Sequence, residues 1–145
     1  MTANIDDMSN LFRFFRMPTD LYEQWSRYAT HTNQTLKQAM TELLHSVSNL
    51  AVPAQSKSYF ADMIANQHQV QPKAYKQHLI KQFHFKYTSE LKQEIFTIFQ
   101  QTGYKNGTME MDIEICTRLD YALKIKANRG LNTLGLFIIS SFNFF

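Results

Sequence analysis

At 145 residues the chain can bury one sizeable core or two small ones, and 44% apolar with 19% charged residues marks a folded protein, not a disordered one. The formal charge of +3 permits an anionic partner without requiring one, and the excess lies late: residues 1–50 carry four Lys/Arg against five Asp/Glu, residues 51–145 eleven against seven. Cys116 is the only cysteine, which excludes an internal disulfide framework and a cysteine-based zinc site and fits a reducing compartment.

Asp6 and Asp7 stand where a secretory leader would be positive, and Arg13 and Arg16 interrupt the early apolar run, so the expected location is the cytoplasm. The first element is a short aromatic and basic segment, Phe12-Arg13-Phe14-Phe15-Arg16-Met17, that stops at Pro18. Asp20, with Glu23 three residues on, has capping-box spacing for a helix whose apolar stripe is Leu21, Trp25, Tyr28 and Ala29. After the polar Thr32-Asn33-Gln34-Thr35, Thr35 can cap a second helix with Leu36, Met40, Leu43, Leu44 and Val47 on one side, ending before Pro53.

Ser56 or Ser58 starts a third helix with Tyr59, Phe60, Met63 and Ile64 inward. Pro72 suits the first turn of a fourth that carries Tyr75, Leu79, Ile80 and Phe83. Ser89 caps a fifth with Leu91, Ile95, Phe96 and Phe99, and Gly103 closes it. Residues 109–115 alternate as a strand would. Yet acidic residues open the stretch from Thr108 to Gly130 and Lys124, Lys126 and Arg129 end it, while Glu114 with Arg118 and Asp120 with Lys124 sit four apart, which favours a helix. The last apolar run, Leu134 to Phe145, is far shorter than the ~20 residues that span a bilayer. No internal repeat is visible, and no glycine precedes Gly103, which excludes a Gly-rich nucleotide loop over the first 102 residues.

Residues 12–47 resemble the ribbon-helix-helix (Arc/MetJ-type) DNA-binding family. Arg16-Met17-Pro18 matches the family's strand end, Leu21, Trp25 and Ala29 fall three, seven and eleven residues after the proline, and Asn33 stands where the turn usually has Gly. Thr35 takes the cap position, and Met40 and Leu44 lie on the apolar face of the second helix. The resemblance implies a homodimer in which two protomers pair their strands into an antiparallel ribbon that enters the major groove over a shared four-helix core. It assigns base contacts to Phe12, Phe14 and Arg16, although the family usually has polar readers where the phenylalanines stand. A DNA phosphate would sit at the start of the second helix, at Gln34, Thr35 and Lys37.

A competing pattern runs through the same residues. Positions 21, 25, 28, 32, 36, 39, 43, 47 and 50 step by three or four, and all but Thr32 are apolar or aromatic, so one continuous helix from Asp20 to about Leu50 also fits. A third reading places Leu11 to Met17 as a short amphipathic helix on a membrane or apolar particle, with Arg13 and Arg16 at its polar edge. Tyr75 to Tyr87 interleaves basic and aromatic residues as nucleic-acid surfaces do, but helical period accounts for its aromatics and leaves the lysines as a solvated back.

Other chemistry is not indicated. Glu42 and His45 form one Glu-x-x-His, whose second copy a di-iron bundle would need, and Cys116 lies among apolar positions as core residues do. No catalytic grouping, metal site or cofactor is expected. The expected fold is mainly α-helical: a ribbon-helix-helix-like DNA-binding and dimerisation unit over 1–52, then a helical bundle over 53–145 that supports oligomerisation or binds a protein partner. The alternative is an all-α bundle with one long N-terminal helix. The expected function is sequence-specific binding of double-stranded DNA by a dimer, as a transcriptional repressor or a plasmid partition or relaxosome accessory protein; a helical interaction module without DNA binding is the alternative.

Overall fold

The computed structural model of the protein describes residues 12–66 and 80–134. In chain order these form strand β1 (Phe12–Pro18), helices α1 (Thr19–His31), α2 (Leu36–Ser46) and α3 (Ala54–Asn66), strand β2 (Ile80–Lys86), and helices α4 (Ser89–Thr102) and α5 (Met109–Leu134). The protein is mainly helical, as its patterning implies.

Local chemistry sets the boundaries. Pro18, with φ −56° and ψ 139°, ends β1 and leads directly into α1, so no side chain caps that helix. Asp20 lies inside the first turn, where it favours the helix dipole instead of capping. At the other end the Thr32 hydroxyl donates to the Tyr28 carbonyl at 2.8 Å, and Asn33 turns left-handed at φ 58°. The Gln34 amide then closes on the Ala29 carbonyl at 2.8 Å. That break removes the continuous helix from Asp20 to Leu50. Thr35 opens α2 with a complete capping box: its hydroxyl accepts from the Gln38 amide at 3.1 Å, and its own amide donates to Gln38 Oε1 at 2.9 Å.

Helix α3 starts at Ala54, directly after Pro53 and ahead of the serines. Thr88, not Ser89, caps α4, accepting from the Leu91 amide at 3.1 Å, and Gly103 ends it at φ 79°. Thr108 accepts from the Met111 amide at the start of α5. The alternating stretch 109–115 is helical, and both i,i+4 ion pairs form: Glu114 to Arg118 at 2.8 Å and Asp120 to Lys124 at 2.9 Å.

The main correction concerns residues 80–86. These continue no helix from Pro72; they are a strand paired antiparallel with β1, in the register Phe12 to Lys86, Phe14 to His84, Arg16 to Gln82 and Pro18 to Ile80. Phe83, Phe85 and Tyr87 alternate with Gln82, His84 and Lys86, which is strand period two, and β1 supplies the ladder that such a segment needs. The proposed helix start at Pro72, with Tyr75 and Leu79, lies outside the described residues, as does the apolar run after Leu134. Residues 12–17 are equally a strand, which removes the amphipathic surface helix drawn there.

The chain thus contains a strand followed by two helices twice, β1-α1-α2 and β2-α4-α5, with α3 between them. The two copies correspond closely. Thr88 follows Pro18 by 70 residues, Leu91 follows Leu21 by 70, and the left-handed Gly103 follows the left-handed Asn33 by 70. Phe14 and His84, paired across the ribbon, are also 70 apart, so a half-turn about that pair exchanges Arg16 with Lys86 and Phe12 with Gln82. Burial follows the same relation: Met17 and Tyr87, Leu21 and Leu91, Trp25 and Ile95, and Tyr28 and Ile98 are all buried.

The helices interleave. Helix α2 packs on α1, α4 and α5, and α1 also reaches α5. One apolar cluster runs from Met17 through Met40 and Leu43 to Ile95, Ile115 and Leu123, so residue 52 does not divide the packing. Each fully buried aliphatic side chain in it contributes roughly 1.5–3 kcal/mol. Helix α3 lies along α5, where Lys57 reaches Glu114 and the Tyr104 hydroxyl, both at 3.3 Å. Burial pulls the Lys57 ammonium toward neutrality, but Tyr104 and Glu114 outweigh it and hold the group above its ordinary range.

Candidate nucleic-acid interface

Charge is concentrated in the two-stranded ribbon. Its fourteen residues contain Arg13, Arg16, Lys81, Lys86 and His84 and no carboxylate. The remaining chain carries eleven Lys/Arg and twelve Asp/Glu, so the formal positive charge of the protein resides in the ribbon. Strand parity separates its residues. Met17 and Tyr87 are buried, at 0% and 6% exposure, which makes theirs the core-facing parity; their neighbours Arg16 and Lys86 have the other, and Lys86 is exposed.

The candidate readers divide under this geometry. Phe12, Phe14 and Arg16 occupy alternate positions of β1, opposite Lys86, His84 and Gln82. Arg16 is held from behind: its Nη1 donates to Asp112 Oδ2 at 3.0 Å, and Asp112 on α5 is completely buried. Cys116 Sγ, also buried on α5, donates to the Arg16 carbonyl at 3.7 Å. Arg16 therefore anchors the ribbon to the core as well as carrying charge at its surface.

The phosphate cradle drawn at Gln34, Thr35 and Lys37 is narrower than the sequence implies. The amides of Gln34 and Thr35 are taken up by the Ala29 carbonyl and the Gln38 side chain. The Gln34 side-chain oxygen lies 2.7 Å from the Thr32 hydroxyl, and the side chain reaches Glu42. Of the three residues, Lys37 keeps a suitable place, in the first turn of a helix that has no acidic residue there. Thr88 and Glu90 from the start of α4 border the same groove, so the N-terminus of α2 sits at the Lys86 end of the ribbon.

Glu42 and His45 do not converge on one point. Glu42 accepts from the Tyr28 hydroxyl at 2.9 Å and from Lys126 at 3.1 Å, whereas His45 meets Glu94 at 3.0 Å. Burial raises the Glu42 carboxyl, but Lys126, Tyr28 and Gln34 outweigh it and hold it below its ordinary value. Tyr28 is pushed well above its ordinary value, first by burial and then by the Glu42 carboxylate. These contacts join α1, α2 and α5 on the side of the core.

Sequence reasoning placed β1 but missed β2, and with it Lys81, Gln82, His84 and Lys86. The alternation from Gln82 to Tyr87 was the available signal. No protein-family model, curated protein or solved structure matches this chain.

Proposed function

We propose that this protein binds double-stranded DNA by laying the β1-β2 ribbon in the major groove, as ribbon-helix-helix proteins do, with both strands supplied by one chain. The observation that carries the reading is the ribbon itself: antiparallel, two-fold in register about Phe14 and His84, followed on each strand by two helices, and basic without any acidic residue. A two-stranded ribbon fits the major groove, and the positions that share the parity of Arg16, namely Phe12 and Phe14 on one strand and Gln82 and His84 on the other, are with Arg16 the base readers of this reading, while Lys86 at the strand end meets a phosphate. Backbone contacts from Lys37 and the start of α2 would fix the register on the duplex.

The homodimer that a single unit would require is not needed here, because β1 already has its partner. Titration of the purified full chain onto duplex DNA by fluorescence anisotropy, at several salt concentrations, tests the reading. Affinity falls with salt, and Lys86→Ala lowers the slope of log K against log salt by about 0.9 if that lysine meets one phosphate. Equal affinity for all duplexes, or no binding at low salt, refutes sequence-specific recognition.

A further inference from the structure

The two halves of the ribbon are unlike wherever the half-turn exchanges them. Position 12 holds Phe and position 82 Gln; position 14 holds Phe and position 84 His; position 16 holds Arg and position 86 Lys. The support behind them differs as well. Asp112, which grips Arg16, stands four residues after the capping Thr108 of α5. Four residues after the capping Thr35 of α2 is Ala39, equally buried at 0% exposure but with no carboxylate to offer Lys86.

The helix starts repeat the contrast. At the Lys86 end, the first turn of α2 has Lys37 and no acid, while Glu42, Glu90 and Glu94 border the same groove. At the Arg16 end, the first turn of α5 has Glu110 and Asp112, with Asp20 at the start of α1 and Lys105 in the preceding turn. Asp20 and Glu90 are 70 apart and cancel in the comparison. The two ends therefore differ in kind: at the Lys86 end Lys37 borders a groove with Glu42 and Glu94, whereas at the other Arg16 is held by Asp112, with Lys105 and Glu110 nearby.

From this we infer that the protein recognises a non-palindromic duplex as a single oriented chain. A homodimer presents the same residues to both half-sites and so selects an inverted repeat. This chain presents different residues to each half. The inference rests on the DNA-binding reading above.

Selection of bound duplexes from a random-sequence pool with the full-length protein, followed by native mass spectrometry of the complex with the selected duplex, tests it. The expected result is a consensus without inversion symmetry and one chain per duplex. A palindromic consensus or two chains per site overturns the inference while leaving DNA binding intact. Absence of sequence-specific binding overturns both.

Discussion

Arg16 and Asp112 join the ribbon to the longest helix: a guanidinium one-fifth exposed donates at 3.0 Å to a carboxylate with no exposure at all. Removing the cation leaves the buried carboxylate without the guanidinium that bonds it at 3.0 Å, whereas removing the carboxylate leaves a guanidinium that can turn to water. Arg16→Ala is therefore expected to cost about 3 kcal/mol and Asp112→Asn distinctly less. Urea unfolding, read as a shift of midpoint at unchanged m, ranks the two. The reverse ranking would mean that Asp112 is satisfied without Arg16. The same result makes Lys86→Ala, at an exposed position, the cleaner probe of DNA contact.

Glu42 and Tyr28 make the stability depend on pH at two ends. Glu42 titrates lower in the folded protein than unfolded, so its contribution is present above the ordinary carboxylate value of 4.5 and is lost as pH falls below it. Tyr28 titrates higher when folded, so its contribution is complete below pH 10.0 and declines as pH rises past that value. Glu42→Gln should lose the acid dependence. Tyr28→Phe should flatten the alkaline limb. Thermal unfolding from pH 3 to 11 on the three proteins checks both, and an unchanged alkaline limb in Tyr28→Phe rejects the assignment.

Capping distinguishes adjacent residues. Thr88→Ala should destabilise by about 1 kcal/mol and Ser89→Ala by a few tenths, because only the Thr88 hydroxyl meets a helix amide. Thr35→Ala should match or exceed Thr88→Ala, since it also releases Gln38 from the capping box. Midpoints for the three variants decide it.

The two left-handed turns predict a graded series. Gly103→Ala meets no atom within 4 Å of the new Cβ, so its cost is the backbone conformation alone, about 1–2 kcal/mol. Gly103→Asn should cost less than Gly103→Ala, and Asn33→Gly should be neutral or mildly stabilising. A neutral Gly103→Ala would show that α4 can end without the left-handed turn.

How much of this is legible in the sequence depends on the range of the interaction that fixes each element. Thr35, Gly103 and the charge gradient of α5 act within a turn or two, and their signals read correctly. Asp20 and Ser89 have the right chemistry one or two residues too late, because Pro18 and Thr88 already hold the capping positions. For β2, Leu79, Ile80 and Phe83 fit helical spacing while Phe83, Phe85 and Tyr87 fit strand spacing, and a window this short satisfies both periods. What decides is the ladder to β1, some seventy residues away.

The twofold occurrence of strand, helix and helix was hidden for a related reason. Its matched positions preserve apolar character more than identity, as at Trp25 and Ile95, and the second turn runs from Gly103 to Thr108 where the first runs only from Asn33 to Thr35. Any fixed spacing fails at that point. Arg16 was legible as a basic ribbon residue, but its bond to Asp112 was not, since the two lie 96 positions apart.

The pairing of β1 with a strand of its own chain has a consequence for assembly. A ribbon built from two protomers forms at a rate and to an extent set by protein concentration, and dilution takes it apart before it reaches its target. Here the second strand belongs to the same chain, so its local concentration is fixed by the covalent connection however few molecules are present. Ribbon formation is then part of folding rather than a separate encounter, and a single copy of the chain arrives with its surface already assembled.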